Sequence, residues 1–242
     1  MQEVLQYIEW GIGLPLELLI ISALVRGPFR RFPFLLLYSV ALFLTTVIEI
    51  SINQAYFAGI RFAYSPATYY WVDEGVRQTL LLATVLSLAY LATGSLRSRT
   101  LLRIVLISGG VAVAATSFLV HHQNHLAAGI GRWRWMTLWV RDMDFTAAIV
   151  DLAICTLLLA SRQKDTQVLL ISGGLGIQFT GEAMGESLRY LFPQWSSATG
   201  PGTIIVVATS LAAFWVLWRA LRPVPLPRRA ELVFPPRNGT GI

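Results

Sequence analysis

Apolar positions fill the chain in seven long runs, at roughly 4–25, 33–54, 68–93, 101–121, 135–160, 167–191 and 202–221. Each holds about 20 residues, enough for an α-helix to cross a hydrocarbon core of ~30 Å. Turn-forming residues fall between the runs. Gly27-Pro28 and Pro33 bracket the first connection, Ser65-Pro66 precedes the third run, and Pro193 and Gly200-Pro201-Gly202 flank the connection before the seventh. The pattern predicts an all-α fold, a polytopic membrane bundle of seven transmembrane helices spanning residues 1–222. Residues 223–242 hold five prolines and the Arg228-Arg229 pair, and are expected to form a disordered cytoplasmic tail. The first run begins with Glu3 and Glu9 rather than a positive segment, so it reads as a span and not as a cleaved leader.

Composition agrees with a membrane setting. The 242 residues are 55% hydrophobic and 13% charged, about half the ~25% charged share of a soluble domain. Hydrophobic runs leave no room for a soluble domain of ordinary size. The formal charge of +6 is not a nucleic-acid signal, because of where it lies. Thirteen of the 19 basic residues belong to alternate connections and the tail: Arg26, Arg30, Arg31, Arg97, Arg99, Arg103, Arg162, Lys164, Arg219, Arg222, Arg228, Arg229 and Arg237. The positive-inside rule then puts the N-terminus outside and the C-terminus in the cytoplasm, as in a multi-pass protein of a bacterial inner membrane. The lipid bilayer is the first partner, and the basic loops or tail are where a protein partner would dock.

A charge in the middle of a membrane helix costs at least ~2.5 kcal/mol on insertion scales, so each one requires a reason. Ten carboxylates lie inside the runs; with Arg103 and Arg219 counted at the basic ends, Arg77, Arg141 and Arg189 are left to accompany them. On the seven-span layout Glu9, Glu49, Asp73, Glu74, Arg77, Asp142, Asp144, Glu186 and Arg189 fall in the outer half. Glu182 is slightly deeper, and Glu17 and Asp151 are near the midplane. The inner halves are nearly free of charge. Helical spacing gathers these residues into stripes: Glu9, Gly13 and Glu17; Thr45, Glu49 and Asn53; Glu74 and Gln78; Asp144 and Asp151; Gln178, Glu182 and Glu186. The expectation is an outward-facing acidic pocket built from Glu9, Glu17, Glu49, Glu74, Arg77, Asp144, Asp151, Gln178, Glu182 and Glu186, with Glu17, Asp151 and Glu182 converging. Surplus carboxylates in a low dielectric must take up protons or attract a cation. The competing readings are dipole-favoured acids in first helical turns and plain intrahelical pairs: Asp73–Arg77, Arg141–Asp144 and Glu186–Arg189.

His121, His122 and His125 cluster at the end of the fourth run. His121 and His125 are i, i+4 neighbours and offer two ligands to a divalent metal; no third ligand is identifiable, and interfacial histidines are the simpler reading. Cys155 is a lone cysteine within an apolar run, which excludes an internal disulfide or CxxC site. Gly173-Gly174 and Gly181-x3-Gly185 suit close helix packing. Trp10, Trp71, Trp133, Trp135, Trp139 and Trp195 crowd one boundary and Trp215 and Trp218 the other, as an aromatic belt does. HExxH, Walker A, GxSxG and dinucleotide motifs are absent, as is a lysine in the seventh run for a retinal Schiff base. No catalytic residue is identifiable.

The third run opens as Tyr69-Tyr70-Trp71-x-x-Glu74 and continues apolar to Tyr90. This resembles a group of uncharacterised bacterial seven-span membrane proteins with a Tyr-x-Trp-x-x-Glu third helix. Asp73 and Arg77 depart from that pattern. The resemblance implies fold and membrane location, and no activity. The pocket favours a ligand-binding or sensory module, or a subunit of a membrane complex. A proton- or cation-coupled transporter and a metal-dependent membrane enzyme acting on lipid are the alternatives.

Overall fold

The computed structural model describes residues 2–57, 66–95, 99–128, 134–160, 165–192 and 200–222. Among these are seven α-helices and no strand: α1 (Gln2–Arg26), α2 (Pro33–Phe57), α3 (Pro66–Ala92), α4 (Arg99–Ala128), α5 (Arg134–Ala160), α6 (Thr166–Leu191) and α7 (Pro201–Leu221). Proline opens α2, α3 and α7, where its missing N–H has no helical acceptor to lose. Asp165 caps α6, its side chain accepting a hydrogen bond from the Val168 amide at 3.2 Å. The helices match the apolar runs to within a few residues, except α4. It runs on to Ala128, because the polar His-rich stretch after residue 121 remains helical.

Among the described residues, five helices are long and apolar enough to cross a membrane: Pro33–Ile52, Val72–Ala92, Thr100–His122, Leu138–Ala160 and Pro201–Leu221. α1 and α6, at 25 and 26 residues, are of spanning length. The outward surface is apolar along the bundle, with Leu101, Ile104, Val113, Leu119, Ile149 and Leu152 all about half or more exposed. In water such a surface would drive association; in a bilayer it meets lipid. The chain is a helical, multi-pass membrane protein.

Contacts place six helices in a closed ring, in the order α1, α2, α3, α5, α6, α7 and back to α1. α4 lies outside it, against α5 and the edge of α3. Its face toward the ring is held by polar bonds. Ser117 Oγ donates to Asp142 at 2.8 Å, and His121 meets the same carboxylate at 3.0 Å. At its other end Arg103 donates to the Tyr90 carbonyl and to Thr93. The tightest seam is α6 on α7. A Cβ at Gly185 would lie 2.8 Å from the Gly202 carbonyl oxygen, and one at Gly181 would overlap Thr209. Only glycine permits this approach.

The ring interior has two halves. Toward the end where α1 finishes it is packed with Ile20, Leu24, Leu35, Leu88, Ile154 and Ile171, all nearly inaccessible. Arginines and aromatics gather at that end: Arg103 over Tyr90, Arg219 over Trp215, and Arg222 over Trp218 at 3.5 Å. Arg31 pairs there with Asp165, tying the α1–α2 turn to the start of α6. The interior toward the start of α1 is polar.

Candidate functional site

The polar interior begins on α3. Glu74 and Gln78 are buried on one face of that helix. Arg77, one turn on from Glu74, donates to it at 2.5 Å. The spacing allowed Asp73–Arg77 equally well; the ion pair instead forms with Glu74, three residues away, and Asp73 turns toward Thr45 of α2. The Gln78 amide donates to Glu74 at 3.1 Å and reaches Glu182 of α6 at 3.5 Å. Gln178, one turn before Glu182, donates to it at 3.0 Å and to the Tyr38 hydroxyl of α2 at 2.6 Å. These bonds link α2, α3 and α6 across the ring.

Asp144 of α5 is entirely inaccessible to solvent. The charges of Glu182, Glu74 and Arg77 lie near it, and so does the Gln78 amide. That amide is engaged by Glu74 and Glu182, and neither Asp144 oxygen receives a bond of acceptable geometry from a described residue. The Gln178 side-chain oxygen is also buried without a partner among the described residues. Unsatisfied polar atoms at this depth are costly, on the order of 1–3 kcal/mol each, so the cluster holds its shape against a penalty.

Beside the cluster is a cavity of about 70 Å³, room for a few water molecules or one small ion. Glu17, Glu49, Asp73 and Glu182 face it, with Arg77 as its lone cation among the described lining residues. Trp10 and Phe214 supply aromatic walls, and Gln178 contributes to the lining. Tyr38 and Phe179 are both buried beside Gln178, whose amide donates to the Tyr38 hydroxyl. Tyr38 is a residue that sequence reasoning passed over. It lies one turn before Leu42 and two before Thr45 and Thr46 on the cavity-facing stripe of α2, so extending that stripe toward the α2 start reaches it.

The other expected residues are placed elsewhere. Asp151 does not join Glu17 and Glu182. It faces the α5–α6 seam, where Ser172 Oγ donates to it at 2.5 Å and Cys155 Sγ lies 3.2 Å from the same hydroxyl. Asp144 and Asp151 share a face of α5 but stand two turns apart, and the two levels meet different neighbours. Glu186 is held by Arg189, which also donates to Thr203 at 3.1 Å and so clamps α6 to the start of α7. Arg141 reaches the adjacent Asp142 at 3.5 Å rather than Asp144. The side chains of Glu9, Asn53, Trp71 and His125, and residues 223–242, lie outside the described residues. His121 is engaged by Asp142, and His122 stacks on Phe118 beside Trp135. Among the described residues no group of three His, Cys, Asp or Glu side chains is placed to hold a metal ion. Comparison of the chain with protein-family models, curated proteins and solved structures finds no match, so no role passes to these residues from another protein.

Proposed function

We propose that this chain is a seven-span sensory or binding module that captures a small cation in its acidic cavity. The observation that carries this reading is the charge of the lining. Four carboxylates face about 70 Å³ of space, and Arg77, the one guanidinium among the described lining residues, is engaged by Glu74. A cation entering that space relieves the repulsion between them, and the aromatic side chains of Trp10 and Phe214 in the lining suit an ammonium-type ligand. The volume suits ammonium or methylammonium, and excludes a bulky amine. Toward the end where α1 finishes, the described interior is mainly apolar, with Leu24, Leu88, Ile154 and Ile171 in it, which favours detection over transport.

The arginine-rich end of the bundle supports a cytoplasmic placement for that end, with the cavity opening to the outside of a bacterial inner membrane. α6 is the natural conduit between the two. It carries Gln178 and Glu182 at the cavity, and its first residues are tied by the Asp165–Arg31 pair to the α1–α2 turn. A protein partner on the basic loops or tail would read a change in α6 on ligand binding.

The test is thermal unfolding of the purified protein in nanodiscs at constant ionic strength, with methylammonium, ammonium, sodium, potassium or choline as the added cation. A ligand at about a hundred times its Kd stabilises by ~2.7 kcal/mol, which raises the midpoint by roughly 5–10 °C in a chain of this size. The shift is expected for ammonium and methylammonium, absent with choline, and lost in Glu182→Gln. Equal midpoints in all five salts would refute the proposal.

A further inference from the structure

A second cavity lies on the lipid-facing side of the α5–α6 seam, away from the acidic interior. Gly173, Gly176 and Gly181 hollow one wall, and Ile149 and Leu152 form an exposed apolar rim on the other. Its volume is about 610 Å³, within the ~300–1,000 Å³ of small-molecule sites. The lining is apolar apart from Cys155, Thr180, Thr209 and, at the base, Asp151. Thr209 is engaged by its own helix and Cys155 by Ser172.

Asp151 is 2% exposed. Ser172 satisfies Oδ1, and no described residue donates to Oδ2. That second oxygen lies over Gly176, where a Cβ would stand only 2.6 Å away. The absence of a side chain at Gly176 thus leaves Oδ2 at the cavity floor. Within the apolar stretch Leu138–Ala160, Asp151 is 13 residues from one end and nine from the other. At ~1.5 Å per residue those are depths of about 20 and 14 Å, so phospholipid headgroups lie far from it. A donor that reaches Oδ2 must tolerate hydrocarbon around it. A single hydroxyl on a long apolar body does so, and a charged head does not.

We propose that this groove binds a lipid-soluble alcohol of the long-chain or isoprenoid kind, its hydroxyl donating to Asp151 Oδ2 and its chain lying along Gly173 and Ile149. The shape supplies the apolar contact and the carboxyl supplies the preference for a hydroxyl. The site is independent of the acidic cavity, since it shares no lining residue with it.

The experiment uses the full chain in nanodiscs, with a diazirine-bearing hexadecanol and its methyl ether as photolabels, read by mass spectrometry of the α5 and α6 peptides. The alcohol is expected to label these peptides about fivefold more than the ether, the preference that one net hydrogen bond gives. Gly173→Leu is expected to cut labelling by both probes, because a Cβ at Gly173 meets nothing within 4 Å and the new side chain fills the groove without disturbing the fold. Asp151→Leu is expected to erase the preference for the alcohol; if that variant does not fold, the first two comparisons decide. Equal labelling by alcohol and ether, labelling unchanged by Gly173→Leu, or cross-linking of copies through Cys155 in place of labelling would each overturn the proposal.

Discussion

Replacing Arg77 by methionine keeps an unbranched apolar stem and removes the guanidinium bound to Glu74 at 2.5 Å. Glu74 then stays buried with an uncompensated charge, beside Glu182 and Asp144. Removing one partner of a buried ion pair costs ~3–5 kcal/mol. The Glu74 side chain is 7% exposed, but Arg77 keeps 30% of its surface open. Water therefore carries part of the load, and the low end of the range applies, about 3 kcal/mol. That is roughly a hundredfold in the folding equilibrium. A second variant, Glu74→Gln, made alone and together with Arg77→Met, separates the charge from the packing. The double variant is expected to recover at least ~1.5 kcal/mol relative to the sum of the singles, as coupled neighbours do. Reversible unfolding in mixed micelles, driven by rising dodecyl sulfate and followed by far-ultraviolet circular dichroism, gives all four stabilities. If Arg77→Met costs under ~0.5 kcal/mol, or the two substitutions add, then the guanidinium does not neutralise the interior and the electrostatic account of the cavity fails.

Three further outcomes follow from the packing. Gly185→Leu drives a side chain into the Gly202 backbone and Val206, so a loss of ~1–3 kcal/mol and a clear drop in thermal midpoint are expected; an unchanged midpoint would mean that the α6–α7 seam is looser than described. Ser172→Ala leaves Asp151 Oδ1 without its donor, and should destabilise by ~1–3 kcal/mol in the same micelle titration, whereas Thr156→Ala on the exposed side of α5 should be nearly neutral. Asp142→Asn weakens the hold on both His121 and Ser117, so amide exchange should quicken in α4 and stay constant in α6; uniform quickening would contradict the peripheral placement of α4.

The helices were legible because an apolar run of about 20 residues has one stable form in lipid, and proline or glycine marks its ends. The ring order was not. That α3 lies against α5, with α4 displaced, depends on which faces fit. α4 exposes valines and leucines around most of its circumference, so periodicity gives it no inward side. The polar stripes indicated that Glu74, Gln178 and Glu182 turn inward, because residues one turn apart stay together whatever the neighbouring helix. Spacing could not tell whether Arg77 reaches back three or four positions, since both are within its span. Nor could it separate Asp144 from Asp151. Two turns along one face are a small step in sequence, but in the bundle they lead from a junction of three helices to a seam between two.

The ring closes where α7 meets α1, and that has a bearing on how the protein is made. A chain entering the membrane in order builds four of the six seams as a horseshoe before α7 arrives. Until then Glu17 and Glu182 line an open flank that lipid can reach. Ribosome-bound nascent chains arrested before α7 should therefore depend on an insertion chaperone that shelters polar helix faces, and that dependence should end when the seventh helix emerges.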